Sequence, residues 1–416
     1  MTAVIFVILL LLLPVFAWAQ STYSTLYTFT NGKHGATPVS GLVFDHAGNL
    51  YGTTVGGGSQ NCEDGCGVVF KLTPSADGSW KESVLHFFAG GQDGAYPSAS
   101  LAFDREGNLY GTTANGGSQH CTNGCGVVFE LAPSTDGRWT ESVLYSFTGG
   151  LDGALPYSIP ALDSAGNLYG TTLFGGDLSC GSMGACGVVF ELTPNPHGAW
   201  TERVLHRFRN GWDGSAPVAG VILDAAGNLY GTASLGGVHG WGAVFELMPK
   251  SSGTWTEIVL HSFNDNGKDG VEPYAPLTFD KAGNLYGTTY AGGDRDYGVV
   301  FQLSPTTRGR WKETVLHQFT GRNDGDNSSS YAGPLIVDEG GNVYGTTTFA
   351  GAGRFGVVFR ITQNSKGRWD ETVLHSFYGH TAGSPWAGVI ADAAGNLYGT
   401  DAGGYNDVGS VFEITP

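Results

Sequence analysis

The chain is expected to be all-β, a seven-bladed β-propeller of four-stranded antiparallel blades, and three observations carry that expectation. The phrase Gly-Asn-Leu-Tyr-Gly-Thr-Thr, or a near copy, occurs seven times, with its tyrosine at Tyr51, Tyr110, Tyr169, Tyr230, Tyr286, Tyr344 and Tyr398. Steps of 54 to 61 residues along almost the whole chain mark a repeat fold. Apolar residues alternate with a period of two in every unit and nowhere with the helical period. Finally, a Trp-x-Glu strand occurs only six times, at Trp80, Trp139, Trp200, Trp255, Trp311 and Trp369. Its missing copy stands at the other end of the chain, where Leu26, Tyr27 and Phe29 align with Leu85, His86 and Phe88. An N-terminal strand that completes the last blade closes a ring, a displacement for which the competing β-solenoid has no use.

The second unit shows the elements in order. Leu101 and Phe103 alternate in an innermost strand, Gly107 and Asn108 turn the chain, and Leu-Tyr-Gly-Thr-Thr forms a second strand. After a glycine-rich loop, Val127, Phe129 and Leu131 share one face of a third strand. Pro-Ser-Thr-Asp-Gly then turns into an outer strand in which Trp139, Val143, Tyr145 and Phe147 alternate with Leu144. Such a sheet is apolar on both faces, and neighbouring copies of itself are its simplest cover.

With 416 residues, nearly all inside the repeat, residues 20–416 are expected to form one domain. A net charge of −17 repels phosphate backbones and argues against nucleic acid as a partner. The opening twenty residues are uncharged and apolar and end in Ala17-Trp18-Ala19, which reads as a signal peptide over 1–19, cleaved after Ala19. An uncleaved anchor is the rival reading, since no Lys or Arg precedes the run. No second apolar stretch follows, so a secreted or periplasmic monomer with no membrane contact after cleavage is expected. Six cysteines form local pairs, Cys62 with Cys66, Cys121 with Cys125 and Cys180 with Cys186, in one loop of successive repeats. In an exported chain these read as disulfides, with a zinc site as the weaker alternative for want of paired histidines.

The wording Gly-Asn-Leu-Tyr-Gly-Thr-Thr, Gly-Val-Val-Phe, Val-Leu-His-Ser-Phe and Asp-Gly resembles the GloVer tandem-repeat proteins, exported bacterial proteins with varied or absent surface anchors. The resemblance covers all seven units and implies an extracellular propeller-like protein. It transfers no catalytic residue, and this chain differs from anchored members in having no C-terminal sorting segment.

Most polar repeats have a framework explanation. Asp45, Asp104, Asp163, Asp224, Asp280, Asp338 and Asp392 each begin a D-x-x-G-N turn that a carboxylate can cap through backbone N–H groups. His86, His206, His261, His317 and His375 share a position with Tyr27 and Tyr145, an interchange that suits a buried hydrogen bond to a neighbouring blade. Asp-Gly at Asp93, Asp152, Asp213, Asp269 and Asp324 reads as a turn, with His34 and Thr381-Ala382 in the odd units. The loops around Asp265 and Asp269 and around Asp324 and Asp326 also resemble calcium loops but lack the full ligand pattern, and no cofactor is expected.

Residues that break the repeat carry the functional reading. At the expected channel mouth stand Tyr157, Tyr274, Tyr331 and Trp386, and Trp212 and Trp241 lie in loops of the same face. With carboxylates at Glu272, Asp294, Asp296, Asp326 and Asp407, these aromatic planes suit a glycan or cell-surface ligand. A plugged channel is the bland alternative. Read as an enzyme, the protein would be a glycoside hydrolase or polysaccharide lyase, with Glu272, Asp296, Asp326 and Asp401 as candidate catalytic residues. No Walker loop, nucleophile elbow, zincin helix or dinucleotide fingerprint is present. A third reading is a purely structural surface protein.

Overall fold

Seven four-stranded antiparallel sheets are seen in the computed structural model, which describes residues 21–158, 160–177, 180, 186–195, 198–327, 333–379, 383–403 and 408–416. Blade 1 runs from the channel outward as Val43–Phe44, Leu50–Thr54, Val68–Pro74 and Trp80–Phe87. Blades 2 to 6 repeat this order, ending in outer strands Trp139–Ser146, Trp200–Arg207, Trp255–Ser262, Trp311–Gln318 and Trp369–Ser376. Blade 7 comprises Ile390–Ala391, Leu397–Asp401 and Ser410–Thr415, and its outer strand is Thr22–Thr28 from the start of the chain. Thr22 pairs with Thr415 and Thr28 with Ser410, so the ring is closed as the displaced strand predicts.

Each residue of the repeated phrase has a packing task. In blade 1 the Asp45 carboxylate accepts from the N–H of Ala47 and Asn49, from Asn49 Nδ2 and from Tyr51 Oη. Burial raises its pKa, and these bonds outweigh burial and bring it below the ordinary value. Leu50 is buried, and Gly52 pairs across the sheet with Phe70, whose ring would lie 2.7 Å from a Cβ at Gly52. Only glycine leaves room there. Thr53 Oγ1 donates to Pro97 O in the next blade at 2.8 Å, and Thr54 Oγ1 donates to Gly56 O at 2.9 Å.

Blade-to-blade packing rests on seven edge-to-face phenylalanine pairs. They are Phe29–Phe70, Phe88–Phe129, Phe147–Phe190, Phe208–Phe245, Phe263–Phe301, Phe319–Phe359 and Phe377–Phe412, at centroid separations of 5.0 to 5.4 Å. The first of these crosses the seam with the same geometry as the rest, which makes the closing strand part of one continuous core. Thr400 Oγ1 likewise donates to Ser40 O across the seam.

The three expected disulfides are formed, Cys62–Cys66, Cys121–Cys125 and Cys180–Cys186. Loops this short gain only about 2 kcal/mol each by chain entropy, so the bonds stiffen loops of blades 1 to 3. The capping aspartates contribute about as much. Replacing Asp104 with Ala strips the acceptor from the N–H groups of Glu106 and Asn108 and from Tyr110 Oη. We expect a loss of about 2 kcal/mol in urea unfolding followed by circular dichroism.

Candidate functional site

Among the described residues, the glycine-rich loops between second and third strands and the connections from one blade to the next lie at one end of the ring, here called the upper face. The central channel opens there. Its cavity of about 60 Å³ is lined by Val39 to Gly41, Ser98 to Ser100, Tyr157, Val218 to Gly220, Tyr274 and Ala387, with others. That holds a few waters, whereas a small-molecule pocket has roughly 300 Å³ or more. The channel itself is therefore too narrow for a sugar ring.

The structure divides the aromatic residues that break the repeat. Tyr157 and Tyr274 line the channel, and half-buried Trp386 directly precedes the lining residue Ala387. Tyr331 and Asp407 lie outside the described residues. Trp212 belongs to a separate surface groove of about 640 Å³ on blade 4, formed with Asn210, Gly211, Leu235 to Val238 and Gly240. Trp212 is 62% exposed and Trp241, in the adjoining loop, 38%. A larger groove of about 840 Å³ lies on the opposite face, lined by the D-x-x-G-N turns of blades 1 to 3, whose capping aspartates are already spent on the turns.

At six blade entries among the described residues the backbone is held in one unusual way. Thr37, Tyr96, Leu155, Ala216, Glu272 and Ser384 all precede proline and all have φ between 53° and 57°, in the left-handed region where residues with a Cβ are strained. Each is pinned from two sides. The Glu272 N–H donates to Trp241 O in the loop of blade 4, and its carbonyl accepts from Tyr290 N–H, both at 2.9 Å. The backbone being common, side chains alone distinguish these six positions, and Glu272 is the single carboxylate among them.

Around Glu272 the polar groups converge. Its Oε2 accepts from Tyr274 Oη at 3.4 Å, and the Tyr274 ring meets Tyr290 edge to face at 5.6 Å. Burial raises the Glu272 pKa, the Tyr274 hydrogen bond opposes this, and the Asp296 carboxylate raises it further. Tyr274 is itself pushed up to about 12, by burial first and then by Glu272. Asp296 is exposed, with φ of 64°, and its Oδ1 accepts from Gly292 N–H at 2.8 Å. Here a carboxyl whose pKa is raised, in part by the Asp296 charge, stands beside a tryptophan-bearing loop.

The remaining candidates sit elsewhere. Asp401 is fully buried, its Oδ1 accepting from Gly383 N–H and Gly403 N–H and its Oδ2 from Ser410 Oγ. Asp326 bridges to Phe349 through its backbone in blade 6, and Asp294 is an exposed loop residue whose N–H donates to Gln318 Oε1. Of the loop carboxylates that resemble calcium ligands, Asp269 accepts from Asn264 N–H and Gly270 N–H, and Asp324 from Thr320 N–H and Oγ1.

One set of residues escaped the sequence reading. The repeated histidine does not bond directly to the next blade; His86 Nε2 meets Asp93 of its own outgoing loop at 3.1 Å, and Glu141 of the next blade's outer strand completes a cluster. His206, Asp213 and Glu257, then His261, Asp269 and Glu313, then His317, Asp324 and Glu371 repeat the arrangement. The signal was the glutamate of Trp-x-Glu, an acid recurring on an otherwise apolar strand face.

Likeness to solved structures is confined to the fold. A provisionally named 6-phosphogluconolactonase of Bacteroides uniformis matches over 85% of this chain and 95% of its own, at 13% identity and a TM-score of 0.51. A Trypanosoma rangeli sialidase matches over 95% of this chain and 59% of its own, at 13% identity and a TM-score of 0.41. No curated protein matches the chain in sequence. The profile of the Gloeobacter/Verrucomicrobia repeat matches residues 15–183 and 178–412, nearly the entire length, and the protein belongs to that repeat family.

Proposed function

We propose that the upper face over blades 4 and 5 is a carbohydrate site of an exported protein, residues 20–416 after removal of 1–19, and that Glu272 and Asp296 make the site hydrolytic. The observation that supports this reading is the pair itself: a half-buried acid whose pKa burial and Asp296 both raise, with Tyr274 against it and Trp241 tied to its backbone. Glycoside hydrolysis divides its work between a protonated carboxyl that gives a proton to the leaving oxygen and an ionised one that attacks or activates water. Glu272 fits the first role and Asp296 the second. Exposed Trp212 and Trp241 offer flat apolar faces on which a sugar ring stacks.

Incubation of the purified protein with plant and microbial polysaccharides should release new reducing ends from at least one of them. Glu272→Gln should reduce that rate by a factor of about 10² to 10⁴, the usual worth of a general acid, with its thermal stability retained. Binding without turnover is the second reading, favoured by the narrow channel and the openness of the groove beside Trp212. It would be chosen if no polysaccharide were cleaved while Trp241→Ala weakened retention on one of them. Absence of both cleavage and retention would overturn the site.

A further inference from the structure

The acid–base clusters between blades are built from three chain segments, and their composition varies around the ring. Each joins a side chain from the outer strand of one blade, a side chain from the loop that leaves it, and a side chain from the outer strand of the next blade. Between blades 7 and 1 the three are Tyr27, His34 and Glu82, with His34 Nδ1 at 3.0 Å from Glu82 Oε2. Between blades 2 and 3 they are Tyr145, Asp152 and Glu202, and Tyr145 Oη donates to Asp152 at 3.1 Å. At the seam between blades 6 and 7, Tyr23 takes the place of the glutamate and stacks on His375 at 4.1 Å. Among the described residues, four of these interfaces combine one histidine with two carboxylates.

Among the described residues, two of those four bring all three donors within 4.8 Å of one another: His86, Asp93 and Glu141, and His261, Asp269 and Glu313. In the second, His261 Nε2 lies 3.2 Å from Asp269 Oδ2 and 3.8 Å from Glu313 Oε1. The corresponding His–Asp separations in the other two interfaces are 3.5 Å. Ligand atoms held about 2.0–2.2 Å from a single ion stand about 3.0–3.5 Å apart, so little adjustment is needed. The glutamates add to this. Like Glu82, Glu202, Glu257 and Glu371 at the other interfaces, Glu141 and Glu313 each have a buried Oε1 that accepts no hydrogen bond, which is costly for a carboxylate oxygen, and only in these two is that glutamate within reach of both a histidine and an aspartate among the described residues. A divalent cation in ligand reach would supply these oxygens with the partner they lack.

We propose that these two interfaces each bind a divalent first-row transition ion of the zinc or manganese class, through His86, Asp93 and Glu141 and through His261, Asp269 and Glu313. An imidazole nitrogen among the donors disfavours calcium and magnesium, and two carboxylates disfavour soft cuprous ions. Because the donors come from adjacent blades, the ion would clamp one blade to the next and stabilise the folded ring by mass action.

The test uses the whole mature chain, stripped with EDTA and titrated at pH 7 with ZnCl₂ and, separately, MnCl₂ by isothermal calorimetry. Two ions per chain should bind for at least one of the metals, and saturation should raise the melting temperature. Glu141→Gln and Glu313→Gln keep the side-chain shape, so each should fold and should reduce the stoichiometry from two to one, and the double variant to none. His261→Gln offers a second route to losing one site if a glutamate variant proves unstable. Failure of the wild type to bind either ion, or a stoichiometry that the double variant leaves unchanged while its circular dichroism stays native, would overturn the proposal.

Discussion

Deletion of residues 22–29 should leave a chain that no longer folds to a closed ring and that aggregates when expressed. The segment supplies the whole outer strand of blade 7, paired with Ser410–Thr415 on either side of a bulge at Leu26. It also supplies Phe29, which is 2% exposed and packs on Phe70, and Tyr23, which stacks on His375 and leans on Phe412. Loss of Phe29 alone is a core truncation of about 3–5 kcal/mol. Without the strand, the edge of Ser410–Thr415 becomes an open template for pairing with other chains. The same structure predicts its own rescue. Thr22 faces Thr415 in an antiparallel pair, as Trp80 faces Pro74 in blade 1, where Ser-Ala-Asp-Gly-Ser joins the two. Moving residues 22–29 to follow residue 416 through such a turn should restore a cooperative melt close to that of the parent. A deletion variant that melts as the parent does, or a transplanted segment that restores nothing, would refute closure through this strand.

Why the fold was legible and the site only partly so follows from what repetition records. Gly52 and Tyr51 each meet the same partner in every blade, so the demand of Phe70 for a glycine opposite it is written seven times in the sequence. The displaced outer strand was visible because one copy was missing where six were present. The candidate site depends instead on differences. That Glu272 occupies a left-handed position cannot be read from its spacing, because its counterparts Thr37, Tyr96 and Leu155 have nothing chemically in common. The approach of Asp296 depends on the path of a loop that has no close copy elsewhere. The histidine clusters were half legible. Interchange with tyrosine revealed a hydrogen bond, but the glutamate belongs to the following blade and reaches the histidine only through the way adjacent sheets pack.

Stability should fall as pH rises from about 5.5 to 8, with the glutamates between blades as the cause. Glu202 and Glu371 are pushed up to about 7 and Glu257 to about 8, in each case chiefly by burial and then by the facing Asp152, Asp324 or Asp213. An unfolded glutamate titrates near about 4.3. The folded chain thus binds protons more tightly than the unfolded one over this interval, and linkage makes stability fall with rising pH until each folded pKa is passed. At the acid end the sign reverses. Burial lowers His317 and brings His375 to about 4, and the capping aspartates are held below their ordinary value, so protonating these groups favours the unfolded chain. The maximum therefore lies near about pH 5–6. Full conversion at about 1.4 kcal/mol per tenfold change would overstate the effect, because these glutamates are only partly buried and salt screens them; we expect roughly 1 kcal/mol from each. Melting temperatures taken in EDTA should be higher at pH 5.5 than at pH 8, and Glu257→Gln should raise the value at pH 8 while barely changing it at pH 5.5. A melting temperature that climbs between these pH values, or a Glu257→Gln variant with the parent's pH slope, would show that the carboxyls between blades are not the protons that folding takes up.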